Sequence, residues 1–251
     1  MGENKKSSTR KTPVSQKTVW LYGTHAVKSA LLNPKRRIMR GLVTAKADLE
    51  TYGALRAGVS WRVADKRAFE EIFGFGAVHQ GVAIETVSLP TLHLEDLDAA
   101  ESLPPVILAL DQVTDPHNVG AIMRSAAAFG VKHMVMQDRH SPDQLPTLAK
   151  TASGALEHVE IISVVNLSRA LEDLKKKGYW VAGLDERGQT LGEKPLPSPL
   201  VLVLGAEGKG LRPLVAKTCD MSVRLPTSDA FPTLNVSAAA AIALFAATRG
   251  A

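Results

Sequence analysis

"LDQVTDPHNVGAIMRSAAAFG", residues 110–130, is the stretch on which the reading of this chain turns. It runs from the end of a strand through a polar turn into a helix. The turn holds Asp115, Pro116, His117 and Asn118, and the helix carries Arg124 among Ala121, Ile122, Met123, Ala126 and Ala127. Strand-to-helix junctions are where α/β proteins place ligands, yet this one lacks the glycines of a phosphate-cradling loop. Asn118 fits an N-cap, its side chain accepting a hydrogen bond from the first helical turn. Arg124 lies on a helix that otherwise reads as buried, and a buried guanidinium needs a partner. That partner is either a carboxylate, or a phosphate gripped by the planar fork.

Outward from this stretch the pattern repeats. "VILAL" (106–110) is a continuous apolar run of the kind that buried parallel strands show. Similar runs follow at 132–137, 159–164, 179–184, 200–205 and 221–226, most of them separated by helical stretches such as "LSRALEDLKKKG" (167–178). The alternation predicts an α/β fold, a mostly parallel sheet with helices on both faces, over 106–251. Residues 19–87 read as a second, small α/β unit. Helices are expected at 24–32, with Thr24 as N-cap, at 46–58 and at 66–73, and strands at 37–45, 59–65 and 81–87. Between the two, residues 88–105 are acidic, proline-bounded and weakly patterned, and read as a linker.

Two more loops have the composition of a site. "LVLVLGAEGKGLRP" (200–213) places Gly205, Gly208 and Gly210 directly after a buried strand, in an order that is neither a P-loop nor GxGxxG. Three glycines suit close backbone approach to a ligand, and Glu207 is placed to face that ligand or to pair with Arg124. "VRLPTSDAFPTLNVSAAAAIALFAATR" (223–249) puts Asn235 and Ser237 at the head of an alanine-rich helix, where they fit capping and core packing. Leu225, Pro226 and Leu234 offer apolar walls for a pocket.

Composition bounds the partners. Thirty Lys and Arg against 25 Asp and Glu leave a net charge of +5, which favours an anionic partner. Residues 1–18 concentrate part of that excess in Lys5, Lys6, Arg10, Lys11 and Lys17, and fit a disordered solvated tail, a basic arm for phosphates or an organellar transit peptide. Cys219 is the single cysteine, so no internal disulfide and no cysteine metal cluster are expected; no metal ligand set stands out among His25, His79 and His117. No apolar run reaches the length of about 20 residues that spans a membrane, and no secretory h-region is expected at the N-terminus.

In order and spacing, "DPHNVGAIMRSAAAFG", "LVLGAEGKGLRP" and "LPTSDAFPTLNVSAAAAIALF" resemble the three motifs of the SpoU-type RNA ribose 2'-O-methyltransferases. "LYGTHAVKSALLNP" and "HQGVAIE" resemble that family's small substrate-binding domain, of the branch that methylates guanosine in bacterial 23S ribosomal RNA. The resemblance implies a trefoil knot in the C-terminal domain, S-adenosylmethionine held in the knot, a homodimer through that domain, and a cytoplasmic location. Gly205, Leu225 and Leu234 match the cofactor-contacting positions, and Asn118, Arg124, Glu207, Asn235 and Ser237 match the polar, catalytic ones. Thr233 stands where the third motif often carries Ser, keeping the hydroxyl and adding a methyl.

On that resemblance Asn118 and Arg124 lie beside the methyl donor and grip ribose and phosphate. Arginine stays protonated at neutral pH. It acts as base only if strongly desolvated or coupled to phosphate; otherwise it holds phosphate and developing alkoxide, while the proton leaves through phosphate, water or Glu207. A tRNA 2'-O-methyltransferase and a non-catalytic RNA-binding relative are the alternatives. A nicotinamide dehydrogenase is disfavoured by the missing GxGxxG after the first strand.

Overall fold

Val106, Leu108 and Leu110 point one way along β5 (Val106–Asp111) and Ile107 and Ala109 the other, and all five are buried. A strand apolar on both faces must be covered on both. In the computed structural model, which describes residues 18–99, 102–138, 146–228, 230 and 233–249, β5 lies inside a six-stranded sheet. With β6 (His133–Gln137), β7 (Glu160–Val164), β8 (Trp180–Thr190), β9 (Leu200–Gly205) and β10 (Met221–Arg224), the order is β10-β8-β9-β5-β6-β7. Every pairing in it is parallel. On one face Val106, Leu108, Leu110, Leu202 and Leu204 meet α4 (Pro116–Ala128), α5 (Pro146–Thr151) and α8 (Val236–Arg249). On the other, Ile107, Ala109, Val201 and Val203 meet α6 (Leu167–Lys176) and α7 (Pro213–Thr218). The α/β architecture expected from the apolar runs is the one observed.

A second sheet precedes this one. β1 (Thr18–Tyr22), β2 (Ile38–Val43), β3 (Ser60–Val63) and β4 (Val82–Val87) take the order β1-β4-β2-β3, with only β2 and β3 parallel. It carries α1 (Thr24–Leu32), α2 (Lys46–Gly53) and α3 (Lys66–Phe73). Val27, Ala30 and Leu31 of α1 join the same apolar core as α4 and α5, so the two sheets share a packed boundary.

Four local expectations are corrected. Thr24 is not the N-cap of α1: Gly23 holds that place at φ 92, a left-handed conformation costly for threonine. The long-range Gln80 caps the turn instead, its Oε1 accepting from the Thr24 N–H at 2.9 Å. Nor is Asn118 the N-cap of α4. Asp115 is, with its Oδ1 accepting from the His117 N–H at 3.1 Å, and Pro116 takes the first helical position. The second helix stops at Gly53, not Gly58, and β8 continues six residues past the expected Leu184, to Thr190. The linker, 88–105, also makes a packing contact that its sequence does not announce. Leu92 bridges to Ile162, and Leu97, in a 3-10 turn at Leu94–Ala99, is buried against the six-stranded sheet. The weak pattern hid it because only a few apolar residues carry the contact. The basic tail, 1–17, lies outside the described residues.

Candidate active site

The three singled-out segments meet at the C-terminal ends of β5 and β9, where Asp111 and Gly205 stand side by side in register. Asp111 is fully buried and is the anchor of this corner. Its carboxylate accepts the backbone N–H of Arg212 at 2.8 Å and the Arg212 Nε–H at 2.7 Å, while Arg212 Nη2 donates to Gln137 Oε1 at 2.6 Å. The first segment is thereby tied to the loop of the second. Gln112 then turns the chain at φ 60, rare for a residue with a side chain. Sequence reasoning passed over Asp111, Arg212 and Gln137; the signal available was a carboxylate closing an otherwise apolar strand.

The glycine loop folds back on itself. Gly210 N–H donates to Ala206 O at 2.9 Å, and a Cβ on Gly205 would come within 2.5 Å of the Leu211 nitrogen. The backbone of the same loop therefore approaches Gly205 closely, which by itself requires glycine there. Glu207 stands exposed at the loop tip and makes no ion pair with Arg124.

At the head of α8, Asn235 Oδ1 accepts from the Ser237 N–H at 2.8 Å and from the Ser237 hydroxyl at 2.6 Å. That orientation leaves the Asn235 amide nitrogen to donate to Asn118 Oδ1 at 3.2 Å, joining the third segment to the first. The Asn118 amide nitrogen remains without a partner among the described residues. Leu234 and Thr233 are exposed, whereas Leu225 is buried in the main core and offers little surface.

Arg124 departs most from expectation. Its side chain is exposed and pairs with no carboxylate among the described residues. Six residues on from Asn118, it projects about a third of a turn away from it and lines a cleft of about 440 Å³ between α1, α4 and the turn at 152–158. "HQG" also has a structural duty. His79 Nδ1 accepts from the Gly81 N–H at 3.1 Å, its ring stacks on Phe69, and burial holds it below the usual imidazole range. Burial pushes the Cys219 thiol up to about 11, away from the thiolate form.

The model of the SpoU rRNA methylase family matches residues 105–245, and that of the RNA 2'-O ribose methyltransferase substrate-binding domain matches residues 20–92. The chain belongs to the SpoU rRNA methylase family. Among relatives in it, the 23S rRNA (guanosine-2'-O-)-methyltransferase RlmB of Pseudomonas putida is 38% identical over 91% of this chain and 95% of its own. The RlmB of Pseudomonas aeruginosa is 39% identical over 90% and 94%. The solved SpoU methyltransferase AviRb of Streptomyces viridochromogenes, crystallised with AdoMet, shares the fold with a TM-score of 0.77. It is 21% identical, with 92% of this chain and 89% of that one covered. No described helix is long and apolar enough to cross a membrane.

Proposed function

We propose that this protein transfers a methyl group from S-adenosylmethionine to the ribose 2'-hydroxyl of a guanosine in 23S ribosomal RNA, in the bacterial cytoplasm. The likeness to relatives named for that reaction, over nearly their whole length and this chain's, carries the reading. Residues 19–87 then bind RNA, 106–251 form the methyltransferase domain, and 88–105 join them. A trefoil knot in the C-terminal domain is supported by the return of α8 onto α4 and β9 after β10 has paired at the far edge of the sheet. A homodimer through that domain is supported by Ile242 and Phe245, large apolar residues that α8 leaves exposed.

The residues present fit the cofactor. Leu234 offers an apolar surface, Asn118 an amide with donors to spare, and the loop after Gly205 backbone polar groups. When bound, S-adenosylmethionine supplies an electrophilic methyl group. Ser237 fixes the Asn235 amide, and Asn235 fixes Asn118, so a ribose meets a preset amide edge. The Arg124 guanidinium holds phosphate and stabilises the developing alkoxide. The proton leaves through phosphate, water or Glu207.

The test is incubation with radiolabelled S-adenosylmethionine and an unmodified 23S rRNA transcript, followed by mapping of 2'-O-methyl sites. Label confined to one guanosine is the expected result. Methylation of tRNA instead would move the substrate, and cofactor binding without transfer to any RNA would leave a non-catalytic RNA-binding protein.

A further inference from the structure

We propose that the cleft between α1, α4 and the turn at 152–158 is a binding site for the RNA backbone, in which His25 and His158 hold phosphate groups beside Arg124. The proposal rests on the methyltransferase reading and adds to it a site spanning both sheets. Arg124, Ala127 and Ala128 form one face of α4 at spacings of three and four. His25 and Ser29 face them from α1, and Ser153 and His158 from the turn. Apart from Arg124, the side chains of the cleft are hydroxyls, imidazoles and four alanines.

Three features point to a polyanion. First, no carboxylate lines the cleft, and the nearest acid in sequence, Glu157, is buried against Arg36 with its side chain 3% exposed. Guanidinium, imidazole N–H and hydroxyl groups all donate to phosphate oxygens. Second, the alanine walls keep the cleft wide, at a volume in the range of about 300–1,000 Å³ that ligands occupy. Third, its end is fixed backbone. Ser153 at φ 49 and Gly154 at φ 90 form a left-handed turn, and a Cβ on Gly154 would lie 2.7 Å from Ser29 Cβ. Among the described residues, Ser153 is one of three non-glycine residues with positive φ. A strained turn persists where its surroundings hold it, and such turns cluster at binding sites.

The test uses the full chain and an unmodified 23S rRNA transcript. His25→Ala and His158→Ala should each raise the KM for RNA about fivefold, with kcat and S-adenosylmethionine affinity within about twofold of wild type. The double variant should raise the KM for RNA by about 25-fold, the product of the two single effects. Ala128→Glu should weaken RNA binding more than either, and Ala128→Lys should not; since both replace the same exposed alanine, this pair separates charge from folding. An RNA KM unchanged in the double variant, or equal effects of Glu and Lys at 128, would overturn the proposal while leaving the methyltransferase standing. A wild-type protein that methylates no RNA would overturn both.

Discussion

An exposed arginine with no carboxylate beside it, on a helix of alanines, carries little of the fold's stability. Arg124→Ala should therefore melt within about 1 °C of wild type, surface substitutions of this kind being nearly neutral, and should still bind S-adenosylmethionine. Single-turnover methyl transfer should fall by about 100-fold or more, the scale on which a transition-state donor acts. Arg124→Lys keeps the charge and loses the fork, so it should recover only part of that rate. A well-folded Arg124→Ala protein with a near-normal single-turnover rate would remove the residue from the chemistry. Arg212 behaves oppositely. Truncating it leaves the fully buried Asp111 carboxylate without its guanidinium. Arg212→Ala should cost about 2–3 kcal/mol in urea denaturation. Adding Asp111→Asn removes the stranded charge and should return part of that loss, a sign that a purely steric effect of the arginine would not give.

Among the elements, the glycine loop is the most exacting. Gly205→Ala adds one methyl group, yet that methyl would land on the Gly210–Leu211 backbone, which has no rotamer to give way. The loop must open, and S-adenosylmethionine binding by calorimetry should be lost while circular dichroism retains both sheets. Normal affinity in that variant would put the cofactor elsewhere. The same loop marks what the sequence could and could not reveal. The strands were readable because "VILAL" and "LVLVLG" are apolar on both faces, and α3 because its apolar spacing and its Asp65 cap are local. The caps of α1 and α4 were misplaced, one because Gln80 reaches it from 56 residues away. Asn118, Asn235 and Ser237 were readable as a group through family resemblance, but their hydrogen-bonded chain was not, since it joins residues 117 apart. Arg124 was judged buried from its neighbours in sequence; three-residue steps along α4 turn it out toward α1. The Asp111–Arg212 pair, 101 residues apart, left only a charge at a strand end as its trace.

Beside the apolar core they share, the two sheets are joined by a buried ion pair. Arg36, in the loop after α1, and Glu157, in the turn before β7, meet at 2.5 Å with side chains 0% and 3% exposed. Asn33 Nδ2 adds a hydrogen bond to Glu157 at 2.7 Å, and Arg36 Nη1 donates to Val87 O at 3.2 Å. Lys35 and Glu160 pair nearby at 2.7 Å, but with side chains 71% and 40% exposed, and an exposed pair contributes about 0–1 kcal/mol. Lys35→Ala should thus pass unnoticed in urea denaturation, whereas Glu157→Ala strands a buried guanidinium and should cost about 3–5 kcal/mol. The distribution of that loss is the sharper measurement. Trp20 and Trp61 both belong to the four-stranded sheet, so tryptophan fluorescence reports mainly on it, with the half-exposed Trp180 as a minor contributor. Circular dichroism reports on the whole. In wild type the two transitions should coincide, because the sheets share one core. In Glu157→Ala the fluorescence transition should come first, as the small sheet loses its attachment. The cleft bounded by α1 and α4 would loosen with it, so RNA KM should rise under native conditions while S-adenosylmethionine affinity holds. Coincident transitions in Glu157→Ala, with unchanged KM, would show that the shared apolar core alone sets the geometry.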